Sequence, residues 1–228
     1  MPADPVCVGI VDSGAGPYQQ VAGAAAFVFR ENQLWLEPAR PDALGHGSRV
    51  IEIIQALAPD VDIVSAQVFL ERYTTTAAQV ASAMDWLLDQ GVRVINLSLG
   101  LRQDRPVLRQ ACERALAKGV LVCAASPARG EPVYPSAYPG VFRMTGDARC
   151  ERHDISCLNT AFADFGACVR PVDGQVGPAG ASLGCAHLSA HLARYLATEN
   201  NPCPESARHW LEGQSVFYGP ERRRSVDG

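Results

Sequence analysis

The sequence predicts an α/β protein in three layers, with a mainly parallel central sheet and helices on both faces. Three observations predict it. Apolar runs of strand length alternate along the chain with segments whose large apolar residues recur at helical spacing, the pattern of βαβ units. The first run, VCVGIV (6–11), is apolar throughout and reads as a buried strand. The 228 residues and the 47% apolar fraction suit one domain with a sizeable core.

The elements follow in order. Val6–Val11 is the first strand. Ser48–Ala58 (SRVIEIIQALA) is a helix by the spacing of its large apolar residues. Val61–Phe69 is a strand. Thr76–Gly91 is a helix with threonines at its start and glycine at its end. Val92–Gly100 (VRVINLSLG) is a strand. Pro106–Gly119 is a helix, with proline in its first turn and glycine after its last. Val120–Ala125 is a strand that breaks into SPARG, and Gly140–Asp147 reads as another. Ser182–Ala197 is a long helix and Pro204–Gln214 a short final one. No repeat or low-complexity linker interrupts the series. The expected organisation is one domain over residues 1–200. A C-terminal helix and basic tail over 201–228 pack on that domain or trail from it.

Composition narrows the function. A net charge of −4 argues against a nucleic-acid groove. The basic ERRRSVDG (221–228) is short and reads as a solvated tail. No apolar run is long enough to span a bilayer, so no membrane partner is expected. MPADPV runs straight into a strand with no basic leader ahead of it, so the expected location is the cytoplasm. The eight cysteines are then expected to be reduced, Cys7 and Cys123 acting as small core residues. No CxxC pair occurs; Cys150 and Cys157 with His153 are the one weak alternative for a disulfide or a metal. No metal and no cofactor are expected.

Three polar residues stand where strands and helices meet. Asp12 follows VGIV, at the carboxyl end of the first strand, where α/β proteins place site residues. A turn-capping aspartate is the bland alternative. A dinucleotide fingerprint fits poorly, because Gln19 occupies the third glycine position. His46 sits between two glycines in GHGSRV, which let main chain approach closely and leave the imidazole uncrowded. Ser182, in GPAGASLGCAH, begins a helix. It reads either as a plain N-cap or as a nucleophile where helix N–H groups favour developing negative charge.

In the order Asp…His…Ser these residues resemble the subtilisin-like serine proteases, the subtilases. The aspartate motif of that family matches IVDSG and its histidine motif GHGSRV. The substrate-cleft strand matches VINLSLG, the Tyr-Pro turn YPSAYPGV, and the serine motif GASLGCAH. The resemblance implies peptide-bond hydrolysis and a peptide or protein substrate. Ser182 would be the nucleophile and His46 the general base. Asp12 would hold the imidazole tautomer. Ser98, Leu99 and Gly100 would form an edge that pairs with extended substrate. Asn96 matches a buried family position and reads as structural. An esterase of the α/β-hydrolase type also uses serine, histidine and an acid. Its G-x-S-x-G pattern matches GASLG (180–184) by spelling, but it lies too near the carboxyl end for the sheet that should follow.

One departure bears on activity. In the family, the strand matching Val120–Ala125 ends in Ala-Gly-Asn, and the asparagine donates to the oxyanion. Aligned without gaps, that position falls on Ala128, which has no side-chain donor. Losing such a donor costs on the order of 10²–10³ in kcat. Three explanations stay open. The N–H of Ser182 works with another donor from the same loop, Ser126 or Arg129. A bound substrate or partner protein completes the hole. Or the chain is a pseudoprotease that binds peptides. The surface loop before the serine motif is short, and no leader or pro-region precedes the first strand. The expectation is a compact intracellular processing protease, for example one that removes a leader from a peptide product.

Overall fold

The computed structural model describes residues 5–172, 180–199 and 202–221. The strands are β1 (Cys7–Asp12), β2 (Gly23–Arg30), β3 (Gln33–Pro38), β4 (Asp62–Gln67), β5 (Val94–Leu97), β6 (Leu121–Ala125), β7 (Phe142–Gly146), β8 (Ile155–Cys157), β9 (Phe165–Ala167) and β10 (Ser215–Tyr218). The helices are α1 (His46–Leu57), α2 (Ala77–Asp89), α3 (Pro106–Ala117), α4 (Ala181–Thr198) and α5 (Pro204–Gln214). The strands form one sheet in the order β10-β8-β9-β7-β6-β5-β1-β4-β2-β3. All neighbours run parallel except β2 with β3 and β8 with β9. The mainly parallel sheet expected from the sequence is therefore present.

Side chains alternate across the sheet with a period of two, because successive residues of a strand face opposite sides. Val8 and Ile10 of β1 and Leu121 and Cys123 of β6 join Ile51, Ile54 and Leu188 in the core under α1 and α4. Val11, Ile95, Leu97, Val122 and Ala124 face Val80, Met84 and Leu108 in the core under α2 and α3. The central strands are mostly apolar for this reason: both faces are covered. Burying each of these large side chains contributes about 1.5–3 kcal/mol.

α2 begins with a capping box. Thr76 Oγ1 accepts from the Gln79 N–H at 3.2 Å, and Gln79 Oε1 accepts from the Thr76 N–H at 3.0 Å. α3 opens on Pro106, whose missing N–H costs nothing there. The described part of the C-terminal segment touches the sheet. α5 runs directly into β10, which pairs with β8, and Arg149 is stacked over Phe217 and donates to the Gly219 carbonyl at 2.8 Å. The basic tail beyond residue 221 lies outside the described residues.

α4 is the element that positions the site. It is buried along most of its length. Gly184 lets it touch the sheet, since a Cβ there would lie 2.2 Å from the Thr145 carbonyl oxygen of β7. That contact brings the start of α4 to the carboxyl ends of β5 and β7, the crevice where α/β sheets hold ligands.

Candidate active site

Asp12 is the last residue of β1 and is fully buried. Its main-chain carbonyl accepts from Val68 and Phe69, which fixes the strand end against the residues after β4. The Ser13 N–H donates to Asp12 Oδ1 at 2.7 Å. Gln67 donates to the Ser13 carbonyl at 2.7 Å and accepts from the Arg40 N–H at 3.0 Å, so the turn after β1 is held from two sides.

His46 is the first residue of α1. The helix starts two residues earlier than the apolar spacing from Ser48 implies, because Gly45 caps it in the left-handed region, at φ 73°. Asp42 completes the start. Its carboxylate accepts from the N–H groups of Leu44, Gly45 and Ser48, each at 2.9 Å, and from the Ser48 hydroxyl at 2.7 Å. The Gly47 N–H donates to Ser13 Oγ at 2.8 Å. This scaffold places His46 Nδ1 at 2.8 and 2.9 Å from the two oxygens of Asp12. Burial alone would push the imidazole below its ordinary pKa. The hydrogen bond and charge of Asp12, with Asp42 behind it, outweigh burial and raise it. Tyr73 stands edge-on to the imidazole, at 6.0 Å between ring centroids.

Ser182 is the second residue of α4, and Gly180 is the cap. Its side chain is therefore not an N-cap, and a first-turn N–H has no helical acceptor. The Ser182 hydroxyl donates to the Ser98 carbonyl at 3.2 Å. The Ser98 hydroxyl donates to the Ser182 carbonyl, also at 3.2 Å. Asp12 and His46 are thus joined, and Ser182 is seated at the end of β5. Among the described residues no hydrogen bond links Ser182 to the imidazole.

Ser98 and Leu99 are buried after β5, while Gly100 is exposed, and Leu101 pairs with Tyr134. In the loop after β6, Ser126 has both its donors committed. Its N–H donates to the Met144 carbonyl at 2.6 Å and its hydroxyl to the Phe162 carbonyl at 2.7 Å. Ala128 and Arg129 are exposed and line a cavity of about 440 Å³ with Thr145, Gly146, Leu158 and Val169. Gly146 lies against the Gly180 carbonyl, so this cavity borders the start of α4. Among the described residues the Arg129 guanidinium has no hydrogen bond or ion pair. The sequence reading missed Asp42, Gln67 and Tyr73. Only for Asp42 was there a local signal: an aspartate shortly before GHG, in reach of the start of a helix.

The sequence pattern of the Subtilase family matches residues 4–146, more than half of the chain. The chain belongs to the subtilase family. As a subtilase it is a serine endopeptidase, a hydrolase of peptide bonds. Subtilisin DY of Bacillus licheniformis is 26% identical over 244 residues, which cover 94% of this chain and 87% of that protein. Subtilisin Savinase of Lederbergia lenta is 32% identical over 175 residues, which cover 71% of this chain but only 61% of that protein. Among solved structures, a lanthipeptide protease superposes with a TM-score of 0.71 at 19% identity, covering 94% of this chain and 81% of the other. This last likeness is one of fold. Among the described residues no helix of the subtilase is long and apolar enough to cross a membrane.

Proposed function

We propose that this subtilase hydrolyses peptide bonds through Asp12, His46 and Ser182. The observation that carries the reading is the buried Asp12 carboxylate held against His46 Nδ1, while Nε2 makes no hydrogen bond among the described residues. Asp12 fixes the tautomer that presents Nε2 as a base and stabilises the imidazolium. The Ser182 hydroxyl rotates from the Ser98 carbonyl to Nε2, transfers its proton there and attacks the scissile carbonyl. His46 returns the proton to the leaving amine, and water then cleaves the acyl-enzyme by the same path. The Ser182 N–H and the Arg129 guanidinium donate to the oxyanion. Ser126 takes no part, because its donors are committed. Residues 98–100 offer main chain to extended substrate.

The substrate we assign is a defined peptide, such as a product precursor whose leader is removed. The short connection into α4 supports this, as does the fold likeness to a lanthipeptide protease. The location we assign is the cytoplasm, which suits eight cysteines that are all free thiols. Digestion of unfolded casein at many sites would refute the narrow specificity.

A second reading is a pseudoprotease that binds peptides. Ala128 in the oxyanion loop and the turn of the Ser182 hydroxyl toward Ser98 favour it. One experiment separates the two. A fluorophosphonate probe, followed by mass spectrometry, labels Ser182 if the nucleophile is activated and leaves Ser182→Ala unlabelled. A folded protein that does not label supports the binding module.

A further inference from the structure

A chain of buried hydrogen bonds runs from the middle of α4 back to its first turn through β5. The Ser189 hydroxyl donates to Asn96 Oδ1 at 3.0 Å. Asn96 Nδ2 donates to the Ser98 hydroxyl at 3.0 Å. The Ser98 hydroxyl donates to the Ser182 carbonyl at 3.2 Å. Ser189 and Asn96 are fully buried and Ser98 nearly so. Water has little access to the Ser189–Asn96 and Asn96–Ser98 bonds, where a polar atom left unpaired is costly, and the Ser98–Ser182 bond is partly buried.

The chain has a direction, and Asn96 sets it. A hydroxyl has one proton to give. Ser98 receives a donor from the Asn96 amide, so its own proton is free to point at Ser182. An acceptor in place of the amide would draw that proton back and leave the Ser182 carbonyl bare. Ser189 fixes which end of the amide faces which neighbour, because its hydroxyl donates to the oxygen.

We propose that Asn96 is a positioning residue. Acting through Ser98, it holds the main chain of Ser182 and so sets the point from which the hydroxyl attacks. The proposal rests on the reading of Ser182 as the nucleophile. A misplacement of about 1 Å at such a point costs on the order of a hundredfold in rate. A side chain that merely filled space in the core would affect folding but not the rate per folded molecule.

The test uses Asn96→Ala, Ser98→Ala, Ser189→Ala and the double variant Asn96→Ala/Ser98→Ala. Active sites are titrated with the fluorophosphonate probe, and kcat and KM are then measured on a peptide amide. In the wild type the probe labels Ser182. Expected for Asn96→Ala and Ser98→Ala is a fall in kcat per titrated site of about ten- to a hundredfold, with KM within about twofold. The double variant is no worse than the worse single one, since one chain is broken once or twice. If Asn96→Ala does not fold, Ser98→Ala and Ser189→Ala are smaller cuts in the same chain and decide by the same criterion. Wild-type kcat per site in the folded variants overturns the proposal while leaving the nucleophile assignment standing. A wild-type protein that does not label at Ser182 overturns both.

Discussion

Gly47 rests directly on the main chain of Gly14: a side-chain carbon added at Gly47 would lie 2.3 Å from the Gly14 carbonyl oxygen. The obstacle is main chain, which does not give way as a flexible side chain does. Gly47→Ala must therefore push α1 away from the end of β1, and His46 is the adjoining residue. Expected is a loss of about 1–3 kcal/mol in stability and a fall of at least tenfold in the rate of Ser182 labelling. Thermal melts and labelling kinetics check this. Gly213→Ala is the control. It meets nothing within 4 Å on α5 and is expected to hold or gain stability.

The Asp12–His46 pair fixes the pH dependence. The imidazole must be neutral to accept a proton, and Asp12 beside it raises its pKa in the folded protein above the ordinary value of 6.5. The acidic limb of kcat/KM is therefore expected to have its midpoint above pH 6.5. In Asp12→Asn the opposing charge is gone and burial is left to dominate, so the midpoint shifts down while kcat falls by roughly 10⁴-fold. A wild-type limb centred below pH 6 would contradict the assignment of His46 as base.

Arg129 and Ser126 part company in the oxyanion loop. Arg129→Ala removes the unpaired guanidinium and is expected to lower kcat by about ten- to a hundredfold, with a smaller change in KM. Ser126→Ala removes the bond to the Phe162 carbonyl and is expected to lower the melting temperature with little effect on kcat per titrated site. Steady-state kinetics normalised by active-site titration, with a melt for each variant, reads both.

The two histidines of α4 make the fold acid-sensitive. Burial holds His187 down to about 4 and His191 down to about 3, and the nearby cations Arg152 and Arg194 add to it. The Nε2 atoms of both are buried without a partner. In the unfolded chain these groups protonate near their ordinary value, so the unfolded state binds more protons as the pH falls. The stability from keeping them neutral is whole above about pH 6.5 and lost progressively toward pH 4, at up to about 1.4 kcal/mol per pH unit for each histidine. Denaturant titrations from pH 7.5 to 4.5 measure the slope. His191→Leu is expected to reduce it, and an unchanged slope would exclude this cause.

Much of this was legible in the sequence, and the rest was hidden for identifiable reasons. The central strands announced themselves because both faces are buried, so each reads as a mainly apolar run. Asp12, His46 and Ser182 stood out as candidates because glycines lie close to each of them, and glycine leaves a mark in sequence. The β2–β3 hairpin was missed. Its turn is Glu31-Asn32, both with positive φ, at 52° and 58°, with no glycine to signal it. β8 and β9 are three residues each, too short for a period to show. β10 follows α5 with no breaker between Gln214 and Ser215. Tyr73 reaches His46 only through the fold, and the pairing of Ser98 with Ser182 joins segments that nothing local relates.

α4 has two tasks that cannot be separated in time. It carries Ser182, and it also supplies Leu188, Leu192 and Tyr195 to the core that roofs β1 and β6. Asp12 and His46 are carried by β1 and α1. Ser182 reaches the end of β5 only when α4 is packed on the sheet. On the proposed assignment of Asp12, His46 and Ser182, the site is therefore complete only when this helix has docked.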